Sequence, residues 1–451
     1  MSEKRSSFSG NLGFILAAAG SAVGLGNLWR FPYLAAQYGG GIFLLVYLLL
    51  VLTFGFSLLI LEIAIGRKTK LSCINAYGKL NEKFSWLGVL ALLIPILILP
   101  YYSVIGGWVI KYMTVFLTGQ ASAAADSSYF GGFIGQTASP LWMFFIFVTL
   151  TIIIVAFGVE KGVERVSKFM MPILILITIG IAVFVATIPG AIDGIKYYLL
   201  PDFSKFSFKT ICAAMGQLFY SLSIAMGIMV AYGSYVKDEI DLNKSVSQIE
   251  IFDTLVAVLS GMMIVPAVYI FSGEEGLATG GAGLMFKTLP MVFDRMPMGN
   301  LVGAAFFVLV FLAALTSSIS LTEGIVSSFM DKFKLSRKKA VISIYIITLL
   351  LGIPSALGYG IWSHITVLGM DFLTFFDYIS NSVMMPILAI GTCVLAGWFI
   401  NLKDIEDEIT KNGETFKRRN VFRVMIKYIA PVLLFIILVF YSLAQFGFIT
   451  Y

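Results

Sequence analysis

Charge is scarce in this chain. Asp, Glu, Lys and Arg make up only 12% of its 451 residues, while 59% are hydrophobic. A soluble domain carries about a quarter charged residues, so a solvated globular protein is excluded. Histidine occurs once, as His364. It has no partner motif and reads as a surface residue of an outer loop, which leaves an enzyme reading poor. The three cysteines, Cys73, Cys212 and Cys393, lie too far apart for any metal spacing and read as small buried residues. No glycine run has the phosphate-loop order, so no ATP-driven mechanism is implied. The net charge of +6 resides in short loops rather than on one amphipathic face, which argues against nucleic acid as a partner. No cleavable signal peptide is expected, because the first apolar segment reads as a mature span.

What is present is apolar sequence in runs long enough to cross a bilayer. The chain reads as an all-α polytopic membrane protein with eleven spans, near 11–34, 42–66, 86–117, 140–157, 166–187, 208–236, 248–271, 299–330, 339–356, 372–400 and 423–443. Basic residues fix the expected orientation. With the N-terminus inside, internal segments carry basic groups such as Arg67, Lys68, Lys70, Lys161, Lys237, Arg337 and Arg418. External segments hold few, among them Lys196, Lys205, Lys287 and Arg295. Eleven spans place the C-terminus outside. The segment 118–139 reads as an external cover, and 272–298 as short helices folding back on the protein. The charged segment 401–422 reads as a solvated connection.

Two spans cannot stay helical throughout. In Gly20–Pro32, three glycines fall within seven residues, and Asn27 and Arg30 are polar groups in an apolar run. Backbone groups opened in a membrane must be satisfied by protein or by a ligand. A second break is expected at Gln217–Gly227, five spans later. Interruptions at corresponding places in two halves are the mark of an inverted-repeat transporter. The expected division is a single transport domain over 1–451, with repeats at 11–187 and 208–400 and an extra span at 423–443.

These residues resemble the neurotransmitter:sodium symporter family, in its bacterial amino-acid transporter branch. The likeness covers essentially the whole chain. It rests on Gly20–Pro32, Gly39-Gly40-Gly41 followed by Tyr47, Tyr101-Tyr102, Gln217–Gly227 and Leu312–Ser318. Leucine transporters are themselves a worked case of the two-break rule, so rule and resemblance are not independent. The resemblance implies a 5+5 inverted-repeat, leucine-transporter-like fold. It also implies secondary active sodium symport of an amino acid by alternating access, in the plasma membrane of a bacterium. The transport unit is expected to be a monomer, with a homodimer left open. The competing readings are a sodium-coupled carrier of a small amine or zwitterionic osmolyte, and a regulatory membrane protein with a degraded core.

The resemblance also assigns residues. Two sodium ions are implied, with no organic cofactor. One takes the carbonyls of Gly20, Val23 and Ala313 with the hydroxyls of Thr316 and Ser317. Against this, the two hydroxyls could simply bond their own helix. The other takes Ala22, Asn27, Ser221 and Asp253. An acid at the Asp253 position, and Ala257 where chloride-dependent members have serine, imply transport without chloride beside Tyr47 and Gln217. A substrate carboxylate would meet the N–H groups of Leu25 and Gly26 and the Tyr102 hydroxyl. The ammonium would face carbonyls around Phe219 and Ser221. Ile98, Tyr220, Ser223, Met226, Ser317 and Leu321 would line the side-chain pocket. Met226 replaces the phenylalanine of a leucine-selective member, and with Gly24 it favours hydrophobic and aromatic L-amino acids. Apart from the resemblance, Tyr101 itself reads as a membrane-interface residue. Arg30 and Asp377 would gate the outer side. Arg5 and Asp331 would gate the inner side, fastened by Ser234 and Tyr235, with Phe8 where the family has tryptophan. Gly162 and Pro172 resemble a motif of local unwinding that releases the inner sodium.

Overall fold

The computed structural model describes residues 7–278 and 283–447. Among the described residues nine helices are long and apolar enough to cross a membrane, from Gly41–Thr69 to Arg419–Gln445. A tenth span is the bent pair Asn11–Ala22 and Gly26–Gln37, with 50° between its halves. The sixth span is two helices, Phe208–Ser221 and Ile228–Tyr235, joined by non-helical residues. Ten of the eleven expected spans are thus found among the described residues, the sixth is present as two shorter helices, and both breaks are in place. The described residues form no β-strand, only two isolated bridges.

Lipid supplies no hydrophobic driving force between helices, so close packing decides which of them associate. Glycine permits the closest approach. A Cβ on Gly66 would fall 2.0 Å from the carbonyl oxygen of Val230, and one on Gly233 would fall 2.2 Å from that of Ile63. The second span and the C-terminal half of the sixth thus press backbone to backbone, each through its own glycine. The turn into the second span needs glycine for its conformation as well. Gly40 has φ +59, and a Cβ there would fall 2.0 Å from the Tyr197 carbonyl oxygen.

Between spans, 118–139 carries the short helices Ala121–Ala124 and Tyr129–Ile134. Residues 272–298 include the helix Leu289–Arg295, whose apolar face is buried, while Gly280 and Gly281 lie outside the described residues. The segment 401–422 is not a solvated connection. It forms the helix Leu402–Ile409 with Ile405 and Ile409 buried. Glu406 accepts from Arg419 (2.9 Å) and Arg423 (2.5 Å), and Glu408 pairs with the fully buried Arg67 at 2.7 Å. The charges there pair with one another across the packing, which the composition could not show.

Candidate functional site

The first break begins where Ala22 ends its helix and Val23 turns extended, with ψ 99. Residues Gly26–Arg30 then resume as a wide π-helical turn. Amide groups left open at the break find side-chain partners. Gly24 N–H donates to Asn27 Oδ1 at 3.2 Å, and Leu25 N–H approaches the Tyr102 hydroxyl at 3.5 Å. Neither glycine could carry a side chain in place. A Cβ on Gly24 would lie 2.5 Å from Ser317 Oγ, and one on Gly26 would lie 2.6 Å from the Tyr220 ring.

The sixth break is built differently. Ser223, Ala225 and Gly227 all have positive φ, at 52°, 57° and 71°. Ser223 Oγ donates to the Ser21 carbonyl at 3.0 Å, so the two breaks touch. Ala225 N–H donates to Glu62 Oε1 at 2.8 Å. Sequence reasoning missed Glu62. Its signal was a carboxyl amid the apolar second span, where an ionisable group needs a partner.

One small cavity of about 20 Å³ lies between the breaks. All the residues expected to contact substrate border it except Phe219 and Ser221, and Ser21, Gly24 and Ile228 join them. Phe219 packs on Phe54 instead, with ring centroids 5.6 Å apart. Ser221 turns its hydroxyl to Asp253. The room is water-sized, so flexible groups such as Met226 must move for an amino acid to enter.

Two clusters of oxygen flank the cavity. In the first, Asp253 is fully buried and accepts from Ser221 Oγ at 2.8 and 3.0 Å, from Asn27 Nδ2 at 2.7 Å, and from the Tyr47 hydroxyl at 3.4 Å. The Asn27 amide thus presents its nitrogen to Asp253, and its oxygen, the expected cation ligand, takes Gly24 N–H. In the second cluster, Ser317 Oγ lies 3.5, 3.1 and 3.4 Å from the carbonyl oxygens of Gly20, Ser21 and Val23. A hydroxyl has one proton, so it can serve one of those carbonyls fully. Thr316 Oγ1 lies 3.0 Å from the Ala313 carbonyl and 3.1 Å from that of Leu312, which also fits bonding to its own helix. A set made only of oxygen suits a hard cation such as sodium.

The gate residues are distributed unevenly. Arg30 and Asp377 border one cavity of about 320 Å³ above the breaks, but they form no ion pair. Asp377 accepts from the Tyr101 hydroxyl at 3.0 Å and from Asn381 at 2.6 Å, and Arg30 lies 5.5 Å from the Tyr220 ring centroid. Tyr101 is therefore a buried partner of Asp377 rather than a membrane-interface residue. At the other end Arg5 lies outside the described residues. Phe8 is fully buried between Phe14, Tyr232 and Tyr235, with centroids 5.6, 5.6 and 6.1 Å away. Asp331 accepts from Ser72 N–H at 2.7 Å, Ser234 Oγ donates to the Ala231 carbonyl, and the Tyr235 hydroxyl donates to Glu323, which pairs with Arg337. The Glu323–Arg337 pair was not anticipated. Gly162 sits in a π-helical turn, Val159–Glu164, and the helix runs on through Pro172 to Ala186 with no unwound stretch. Glu164 in that turn holds Ser9 through its N–H at 2.8 Å and Lys168 at 2.6 Å.

Broken helices that meet over oxygen clusters inside a bundle of spans define a membrane carrier driven by cations. Comparison with known proteins gives the family. The Sodium:neurotransmitter symporter family matches residues 5–130 and 128–451, and the chain belongs to it. It is 35% identical to the uncharacterized sodium-dependent transporter YhdH of Bacillus subtilis (strain 168), over 98% of this chain and 99% of that one. It superposes on the crystal structure of MhsT in complex with L-phenylalanine with a TM-score of 0.87 and 36% identity, covering 97% of this chain and 99% of that one. The creatine transporter of Torpedo marmorata is 27% identical over 87% of this chain and 72% of its own length. The protein is a sodium-coupled secondary transporter of an amino-acid-like substrate, not an enzyme.

Proposed function

We propose that this transporter carries hydrophobic and aromatic L-amino acids into the cell with sodium, and without chloride. The observation that carries the reading is the cavity between the two breaks. One side offers Leu25 N–H, Gly26 and the Tyr102 hydroxyl to a carboxylate at a helix end. The other side is apolar, with Ile98, Met226, Ile228 and Leu321. A zwitterion leaves water only where both charges are matched. Sodium beside Ala22, Asn27, Ser221 and Asp253 would also face the substrate carboxylate, so ion and amino acid would favour each other's binding. A second sodium would be held by Gly20, Val23, Ala313, Thr316 and Ser317, tying the first span to the eighth. The substrate bound to MhsT, the more similar protein, supports an amino acid over the osmolyte-like cargo of creatine and taurine carriers.

Chloride independence rests on Asp253. Its carboxylate already supplies a fixed negative charge beside Tyr47 and Ser221, and the fully buried Ala257 offers no hydroxyl to an anion. In the alternating cycle Arg30 and Asp377 close over Tyr220 on the outer side, and Phe8 seals the inner one. Gly162 and Pro172 mark where the fifth span loosens to release the inner sodium. The basic residues gathered in alternate loops support an N-terminus inside a bacterial plasma membrane and, over eleven spans, a C-terminus outside it. Symmetric division at 11–187 and 208–400, with the span near 423–443 added, places each break in the first span of its repeat.

The test is uptake by purified protein in liposomes under an inward sodium gradient, with a panel of labelled amino acids. The expected result is saturable uptake of phenylalanine, tyrosine, tryptophan or leucine that survives replacement of chloride by gluconate. Uptake restricted to glycine and alanine, or to betaine-like compounds, would overturn the substrate reading.

A further inference from the structure

We propose that Glu62 and the left-handed Ala225 together set the wall of the substrate cavity, making Glu62 a positioning residue for side-chain selectivity. This deepens the amino-acid reading and rests on it. The sixth break places Ser223, Met226 and Ile228 on the cavity, and Ala225, between Ser223 and Met226, does not border it. Ala225 has φ +57, a conformation that a residue with a Cβ adopts at a cost. Backbone held in such a region persists where its surroundings over-determine it.

The surroundings here can be named. Glu62, 1% exposed, accepts the Ala225 N–H at 2.8 Å. Its second oxygen has no hydrogen-bond partner among the described residues. Glu62 cannot withdraw, because the adjoining Ile63 backbone meets Gly233 and Gly66 meets Val230, as described above. Gly227, two residues after Ala225, is held as well. A Cβ on Gly227 would lie 2.7 Å from Cys73 Sγ and 2.8 Å from the Ala91 carbonyl oxygen. Met226 therefore hangs between two fixed backbone points, one of them a hydrogen bond donated to the second span. Loosening either point changes where the Met226 side chain stands and how large a substrate side chain fits. Glu62 touches no substrate, so its influence runs through the backbone of the sixth span.

The experiment uses the full-length transporter in liposomes and compares KM for L-tryptophan with KM for L-alanine. Glu62→Gln keeps the accepting oxygen and is expected to hold that ratio within about twofold of wild type. Glu62→Leu removes the acceptor and is expected to shift the ratio by about fivefold or more, within the discrimination a pocket of this kind supports. Ala225→Gly, which relieves the left-handed strain without touching Glu62, is expected to shift it by about threefold. Hydrogen exchange over 222–227, measured without substrate, is expected to quicken in Glu62→Leu and not in Glu62→Gln. An unchanged KM ratio in both Glu62→Leu and Ala225→Gly overturns the proposal, even if exchange quickens. If Glu62→Leu does not insert, Glu62→Asp and Ala225→Gly decide in the same way. If the wild type takes up no amino acid, the substrate reading fails on its own. Exchange then still decides whether Glu62 holds the break, and unchanged exchange in Glu62→Leu overturns that as well.

Discussion

The two helix breaks do the same work with opposite means. The first is made by omission: Gly24 and Gly26 leave space that Ser317, Tyr102 and Tyr220 fill. The sixth is made by constraint. Two of its three positive-φ residues are not glycine, and a carboxylate from another span holds one of them. The difference teaches that a broken helix can be kept open either by deleting side chains or by supplying an outside acceptor. The first route should be sensitive to added atoms and the second to lost hydrogen bonds.

The largest effect is expected where the two breaks share one buried carboxylate. Asp253→Ala removes the acceptor of Ser221 and Asn27 and, in the proposed sodium site, the charge that would balance the ion. Sodium-driven uptake should fall at least ~100-fold, equivalent to about 2.7 kcal/mol, and in Asp253→Ser added chloride should recover part of it. Equal uptake by wild type and Asp253→Ala would sink the shared-site reading.

Next come the glycines of the first break. Gly24→Ala and Gly26→Ala push a methyl into Ser317 and Tyr220. Overpacking costs about 1–3 kcal/mol, so KM should rise roughly 5- to 100-fold. An alanine tolerated at both positions would show that the first break has slack, and the comparison would fail.

A smaller change is expected at the eighth span. Ser317→Ala removes the hydroxyl on which three first-span carbonyls converge. The sodium concentration for half-maximal uptake should rise about 3- to 10-fold, the scale of one lost hydrogen bond to a charged or polar partner. A sodium response identical to wild type would leave Ser317 with only its packing role.

The smallest effect tests whether the sixth span is anchored at its break or at its end. Asp238, just beyond Tyr235, bridges Lys70 at 2.7 Å and Lys411 at 2.9 Å. The Lys70 hydrogen bond, with that of Lys411, pushes its carboxyl down to about 2. A depressed acid contributes stability above its unfolded value, near 3.9, and loses it as pH falls through about 2. The side chain is 47% exposed, so solvent screening keeps the contribution below ~1 kcal/mol. Asp238→Asn should lower the thermal midpoint slightly at pH 7 and leave the tryptophan-to-alanine KM ratio alone. A changed ratio would move the anchor from Glu62 to the span end.

The sequence revealed what depends on residue type along one helix. Glycine spacing marked the first break, apolar length marked the spans, and Asp253 stood out as an acid that needed company. It was silent on what depends on facing directions between helices. Glu62 is visible as a buried acid, but nothing in one strand of text says that it meets the N–H of Ala225. Arg30 and Asp377 invited pairing by charge, yet Tyr101 and Asn381 occupy the carboxylate. Asn27 was assigned by its oxygen, and the fold offers its nitrogen to Asp253.

The paired glycine contacts between the second span and the C-terminal half of the sixth have a mechanical consequence. Gly66 against Val230 and Gly233 against Ile63 leave neither helix room to slide along the other. They are expected to move as one arm. Its joints are the irregular backbone above them: the π-helical turn Val51–Gly55 in the second span and residues 222–227 in the sixth. A tilt of the C-terminal half of the sixth span is expected to carry the second span with it, so a spin label on either should report the motion of both.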